Sequence, residues 1–178
     1  MMTKVEATTD SREPWIVEQQ WNLAYRHTAD EVTATFFRTL RDEKKLLGIR
    51  CPECERVLVP PREFCDRDFC KTSGWVELGN EGTIELFTIV YQPVKGLPEP
   101  PYVVAYVRPD GADTAIANFL GGIDLSDRGQ ALERLAIGKR VTIAFRDDRV
   151  GRMTDFEFVL ADGAELVATA SEGNRVRT

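Results

Sequence analysis

Apolar residues recur along this chain with two different periods, and the change of period divides it. Val32, Phe36 and Leu40 return every four residues with Phe37 beside them, while Arg38, Arg41, Asp42 and Glu43 face away. That spacing predicts a helix from about residue 30 to 43. Thr28 and Glu31 stand in the Thr-x-x-Glu order of a capping box, which satisfies free amides where a helix starts. Val17, Trp21 and Tyr25 also recur at four-residue spacing and predict a short helix upstream. Its apolar face either packs on the chain's own core or docks on a partner. Leu46, Leu47 and Ile49 then make a strand-like run ending at Cys51.

From Glu81 onward the period shortens. Thr83 to Tyr91 is rich in β-branched and aromatic residues, and a Gly/Pro-rich loop follows at 93–101. Tyr102–Val107 and Thr114–Phe119 predict two more strands, separated by a turn at Asp110–Gly111 and ended by Gly121–Gly122. Ser126 to Leu135 predicts a short helix closed by Gly138, after which Arg140–Phe145 and Met153–Leu160 resume the strand pattern. Three strands, a helix and two strands is the order of an OB-fold, a five-stranded Greek-key barrel. The expected organisation is an N-terminal arm and helix over 1–45, a metal-bound ribbon over 46–80, the barrel over 81–161 and a polar tail over 162–178. The fold class is mainly β with N-terminal helices.

The ribbon assignment rests on cysteines. The chain has four, all between Cys51 and Cys70, and a tight cluster in a cytosolic chain points to a metal in preference to disulfides. Cys51-Pro52-Glu53-Cys54 is a knuckle whose two thiolates can chelate one ion. Arg56–Val59 can return as a strand, and Pro60–Pro61 turns the chain toward Cys65 and Cys70. Four converging sulfurs suit tetrahedral Zn²⁺ in a closed structural site, with no position left for a substrate. Bound iron as an electron carrier, or a redox dithiol, remains a competing chemistry for the same residues. Two features depart from the common ribbon pattern: the second pair is Cys-x4-Cys, and Glu55 stands where a glycine would ease the turn. So small a ribbon cannot bury enough apolar area to fold alone, and the metal would supply much of its stability.

Charge narrows the partners. The net charge is −6, and residues 81–161 carry twelve acidic against nine basic side chains. A single-strand-binding barrel needs a basic groove beside its stacking aromatics. Phe87, Tyr91, Tyr102, Tyr106 and Phe119 are therefore read as core or interface residues, and nucleic-acid binding is a minor alternative. No run approaches the roughly 20 apolar residues of a membrane span, and the first fourteen residues lack a signal-peptide core. The expected location is the cytoplasm.

Catalysis finds little to use. The one histidine, His27, is isolated near a helix start, where no nucleophile accompanies it. Asp147 and Asp148 read as a solvated turn, and Asp155 and Glu157 as the outward face of a strand.

Together these residues resemble a known family. The helix, then Gly48-Ile49-Arg50-Cys51-Pro52-Glu53-Cys54, then Val59-Pro60-Pro61-Arg62 and Cys65, then Gly82-Thr83-Ile84 are similar to the zinc-ribbon/OB-fold acyl-CoA-associated family. Phe87 to Val90, Pro100 to Val103 and Ile137 to Val141 continue the resemblance, which covers about residues 28–160. It implies a rubredoxin-like zinc ribbon holding one structural zinc and a non-catalytic scaffold role beside a thiolase-like, aldolase or acyltransferase subunit in a hetero-oligomer. That partner would carry the catalytic groups and most of the acyl-CoA contact. Some relatives carry a Trp- and Tyr-rich N-terminal segment, which makes Trp15, Trp21 and Tyr25 candidate docking residues here. The basic run Arg38, Arg41, Lys44, Lys45 and Arg50 could meet the phosphates of CoA directly, or could be a solvated helix face.

Overall fold

The computed structural model describes residues 26–161. Helix α1 runs Glu31–Glu43 and buries Phe36 and Leu40, the second and third positions of the four-residue repeat. Its cap differs from the expected one. Asp30, not Thr28, is the N-cap: its carboxylate accepts from the Thr33 amide and the Thr33 hydroxyl, both at 2.8 Å. A full negative charge at a helix N-terminus meets the free amides and the macrodipole better than a hydroxyl does. Glu31 is then already inside the helix.

Three short strands follow, β1 (Leu47–Arg50), β2 (Val57–Leu58) and β3 (Trp75–Glu77), in the antiparallel order β2-β1-β3. Ile49 pairs with Leu58 on one side and Trp75 on the other. Gly48 permits this close pairing, because a Cβ there would lie 2.6 Å from Val57 Cγ1.

The remaining strands are β4 (Glu81–Val90), β5 (Tyr102–Pro109), β6 (Ile116–Gly121), β7 (Arg140–Phe145) and β8 (Phe156–Leu160), with helix α2 (Arg128–Arg134) between β6 and β7. They close as β4-β5-β6-β8-β7, where β6 and β8 form the parallel pair and β4 returns to β7. This is the five-stranded barrel expected from the element order.

A bulge in β4 decides which apolar side chains point outward. Ile84 pairs with Val107 and Leu86 with Tyr106, so Glu85 is the extra residue. Because side chains alternate, one inserted residue exchanges the two faces. Ile84 is fully buried, Phe87 and Ile89 pack against the core beyond the bulge, and Leu86 is left 56% exposed beside Tyr106 at 48%.

One core joins all the layers. Phe36 and Leu40 of α1, and Leu46, Val57 and Val59 of the ribbon, pack with Ile84, Val107, Val141, Phe156 and Phe158 of the barrel. Polar bonds tie the same junction. Asp113 exchanges bonds with Val57, its amide donating to the Val57 carbonyl and its carboxylate accepting from the Val57 amide, both at 2.8 Å. Thr114 Oγ1 likewise accepts from the Val59 amide at 2.7 Å and donates to the Val59 carbonyl at 2.8 Å. Engaged this way, Thr114 is not the first residue of β6, which starts at Ile116. The β5–β6 loop thus satisfies the backbone edge of β2, which would otherwise be left unpaired.

Asp155 corrects the expectation of an outward-facing strand residue. It is 2% exposed and ends a 3₁₀ turn, Met153–Asp155, that precedes β8. One carboxylate oxygen accepts from the amides of Val150 (3.0 Å), Gly151 (2.6 Å) and Arg152 (3.0 Å). The loop wraps the carboxylate because three amides need an acceptor there. Asn118, buried in β6, pins the same turn by donating to the carbonyls of Met153 and Phe156 at 2.8 Å. Replacing Asp155 with alanine orphans all three amides, and charge-assisted bonds of this kind carry about 1.5–3 kcal/mol each before relaxation. The expected result is a loss of about 3 kcal/mol in urea unfolding with an unchanged m-value. Glu157 lies half-buried on β8, and burial pushes its carboxyl above the ordinary value.

Candidate metal centre

The centre is made by two turns that share a closing hydrogen bond and a left-handed residue, and differ in which amide approaches the leading sulfur. In the first, the Cys51 amide donates to the Arg56 carbonyl at 2.9 Å, the Cys54 amide approaches Cys51 Sγ at 3.5 Å, and Glu55 is left-handed with φ of 60°. In the second, the Cys65 amide donates to the Cys70 carbonyl at 2.9 Å, the Arg67 amide approaches Cys65 Sγ at 3.4 Å, and Phe69 is left-handed with φ of 55°. Glu55 therefore adopts the conformation for which glycine is usually chosen. A non-glycine residue there carries about 1–2 kcal/mol of strain, which the rest of the turn must hold.

These turns bring together five donors. Cys54 Sγ and Cys65 Sγ are 3.7 Å apart, Cys51 Sγ and Cys70 Sγ 3.5 Å. Tetrahedral zinc with sulfur ligands at about 2.3 Å requires sulfurs about 3.8 Å apart, so the Cys54–Cys65 spacing fits the ion. The fifth donor is Asp68, whose carboxylate lies 3.2 Å from Cys51 Sγ and 3.3 Å from Cys65 Sγ. The ligand atoms of Cys51, Cys54, Cys65 and Asp68 all lie within 4.8 Å of one another. Cys51 and Cys65 are buried, and Cys54 and Cys70 are partly exposed.

Cysteine spacing points to the four thiols and not to Asp68. The missing signal was present: Cys65-x-x-Asp68 has the same spacing as Cys51-x-x-Cys54. Electrostatics tie the carboxylate to the sulfurs. Hydrogen bonding to Asp68 pushes the Cys54 thiol up to about 12, and the thiols of Cys54 and Cys51 hold the Asp68 carboxyl below its ordinary value. A bound divalent cation reverses that order, because coordinating thiols are deprotonated, so metal binding releases protons and weakens as pH falls.

The other candidate residues are not among these donors. Arg38 pairs with Glu31 at 3.6 Å, Arg41 with Asp42 at 2.7 Å, and Lys44 with Asp147 at 3.2 Å. Lys45 lies 3.0 Å from Glu77, and Arg50 donates to the Glu55 carbonyl at 2.9 Å. Trp15, Trp21 and Tyr25 lie outside the described residues. His27 is exposed. Among the described residues no helix is long and apolar enough to cross a membrane.

Comparison with known proteins agrees with both halves of the architecture. Residues 38–74 match the rubredoxin-like zinc ribbon domain of ChsH2, and residues 75–146 match its C-terminal OB-fold domain. The chain belongs to this zinc-ribbon/OB-fold family. Membership, with the donor geometry, assigns one structural zinc to the ribbon. A DUF35 domain-containing scaffold protein of Methanocaldococcus jannaschii is 28% identical over 81 residues. That match takes in 44% of this chain and spans 57% of the relative, so the chain covers little more than half of that protein's length. Two solved structures share the fold. One is titled an Ltp2-ChsH2(DUF35) aldolase, with a TM-score of 0.55, 21% identity, and coverage of 75% of this chain and 96% of that one. The other is a DUF35-family protein of unknown function from Sulfolobus solfataricus, with a TM-score of 0.53, 20% identity, and coverage of 73% and 85%.

Proposed function

We propose that this zinc-ribbon/OB-fold chain is a non-catalytic accessory subunit that docks on a thiolase-like or aldolase catalytic subunit and is required for its acyl-CoA chemistry. The observation that carries this reading is the apolar outer face of the barrel. Leu86 and Tyr106, paired across β4 and β5, line a shallow hollow with Phe87, Thr88 and Val104. Tyr91, Val94 and Leu97 extend the exposed apolar surface through the β4–β5 loop, and Phe64 and Phe69 project from the ribbon. Phe69 is 82% exposed. Exposed apolar surface of this extent on a small acidic chain favours a protein partner, since such surface is costly in water.

The names of similar proteins support this kind of partner. One is called a scaffold protein, and one fold neighbour is titled with an aldolase. The reaction would be thiolytic or retro-aldol cleavage of a carbon–carbon bond, or acyl transfer, with the catalytic groups on the partner. A finer assignment, thiolysis of an aromatic acyl-CoA such as benzoylsuccinyl-CoA, rests on the resemblance of the aromatic segment at Trp15, Trp21 and Tyr25. We place the complex in the cytoplasm, where thiols stay reduced. Direct contact of CoA phosphates by Arg38, Arg41, Lys44, Lys45 and Arg50 would require freeing these side chains from the partners they already hold.

Affinity purification of the full chain from its native cells tests the proposal. The expected result is one catalytic subunit in fixed ratio, active on an acyl-CoA ester. Isolation of the chain alone, with every acyl-CoA-cleaving activity left in the flow-through, would overturn it.

A further inference from the structure

We infer that the fourth zinc ligand is the Asp68 carboxylate, and that the Cys70 thiol stands beside the metal without binding it. The two turns correspond in their closing bond and in their left-handed residue. Cys51 and Cys65 each donate their amide to the carbonyl five residues on, at the same 2.9 Å. Glu55 and Phe69, four residues after those cysteines, are the left-handed residues of each turn. The third residue after the leading cysteine is then Cys54 in one turn and Asp68 in the other. Cys70 corresponds to Arg56, the residue whose carbonyl closes the first turn and whose side chain pairs with Asp66 at 3.3 Å. A knuckle presents its first and fourth residues to one ion, so backbone geometry selects Asp68.

Distances agree with the correspondence. Asp68 belongs to the set of four donors within 4.8 Å of one another, together with Cys51, Cys54 and Cys65. Its carboxylate oxygen stands 3.2 and 3.3 Å from two of those sulfurs. Cys70 lies outside that set, placed 3.5 Å from Cys51 Sγ. Carboxylate oxygen is an accepted zinc ligand at about 2.0–2.2 Å. A site with three sulfurs and one oxygen carries the same formal charge as one with four sulfurs. It also leaves a partly exposed thiol next to the metal, open to alkylation or oxidation.

Zinc-edge X-ray absorption on the full-length, zinc-loaded protein tests this directly. The expected first shell is three sulfurs at about 2.3 Å and one light atom at about 2.0–2.2 Å; four sulfurs would overturn the inference. Two variants identify the light atom. Cys70→Ser should retain one zinc with an unchanged shell, whereas Asp68→Ala should lose at least tenfold in zinc affinity against a competing chelator. Retention of both affinity and the light-atom shell by Asp68→Ala would assign that position to water and also overturn the inference. Should Asp68→Ala fail to fold, Asp68→Cys provides the alternative: it should fold and bind zinc through four sulfurs even when combined with Cys70→Ser. Iodoacetamide should label one thiol of the zinc-loaded wild type, at Cys70, with the metal retained.

Discussion

Replacing Cys54 with serine is expected to remove the zinc and melt the ribbon. Serine cannot offer a thiolate, and a tetrahedral structural site that loses one of its anionic ligands loses most of its affinity. Without the ion, β1, β2 and β3 keep only a few backbone pairs each, too few for independent stability. The barrel has its own closed ladder, so its strand signal in circular dichroism should persist. It should nevertheless unfold at lower urea, because Leu46, Val57 and Val59 of the ribbon belong to the same core as Ile84 and Phe158. A loss of about 3–5 kcal/mol is expected, comparable to breaking a buried network. Elemental analysis and urea unfolding of the variant check both parts. Full zinc content in Cys54→Ser, or two disulfides by mass in the wild type, would contradict the assignment.

The second large effect is expected on docking. Leu86→Asp combined with Tyr106→Ala removes the apolar pair that the β4 bulge turns outward. Both side chains are about half exposed, so the fold should be unaffected. Buried aromatic and aliphatic anchors at an interface centre each carry on the order of 2 kcal/mol, and one such loss weakens binding roughly 30-fold. The co-expressed pair should therefore fail to copurify, while circular dichroism of the variant matches wild type. Deleting residues 1–27, with the Asp30 cap left in place, tests the aromatic arm in the same assay. Unchanged binding by the deletion would remove Trp15, Trp21 and Tyr25 from the interface.

Much of this architecture is legible in the sequence, where a repeated spacing reports a buried face. Val32, Phe36 and Leu40 locate α1, and the β-branched runs locate the barrel strands, because long elements repeat their pattern enough times to be read. Shorter or singular features are not legible in that way. β3 has three residues, too few to alternate, and exists because β1 offers it an edge. The Glu85 bulge leaves no mark in composition, yet it moves Leu86 from the core side to the outside. Asp155 sits before an alternating Phe-Glu-Phe run and reads as its polar face; its burial follows from three loop amides that only folding brings together. Asp68 is hard to read for a different reason. Cysteine is conspicuous in a ribbon, while one aspartate in Asp66-Arg67-Asp68 resembles ordinary surface charge until the two turns are compared.

The account rests on this chain being necessary to a catalytic partner, and reconstituted turnover measures that most directly. The partner's acyl-CoA cleavage should be assayed alone, with the zinc-loaded full chain, and with the Leu86→Asp/Tyr106→Ala variant. The account predicts turnover only where the wild-type chain is present, little or none with the variant, and none from this chain by itself. A partner that turns over equally well without this chain would contradict it.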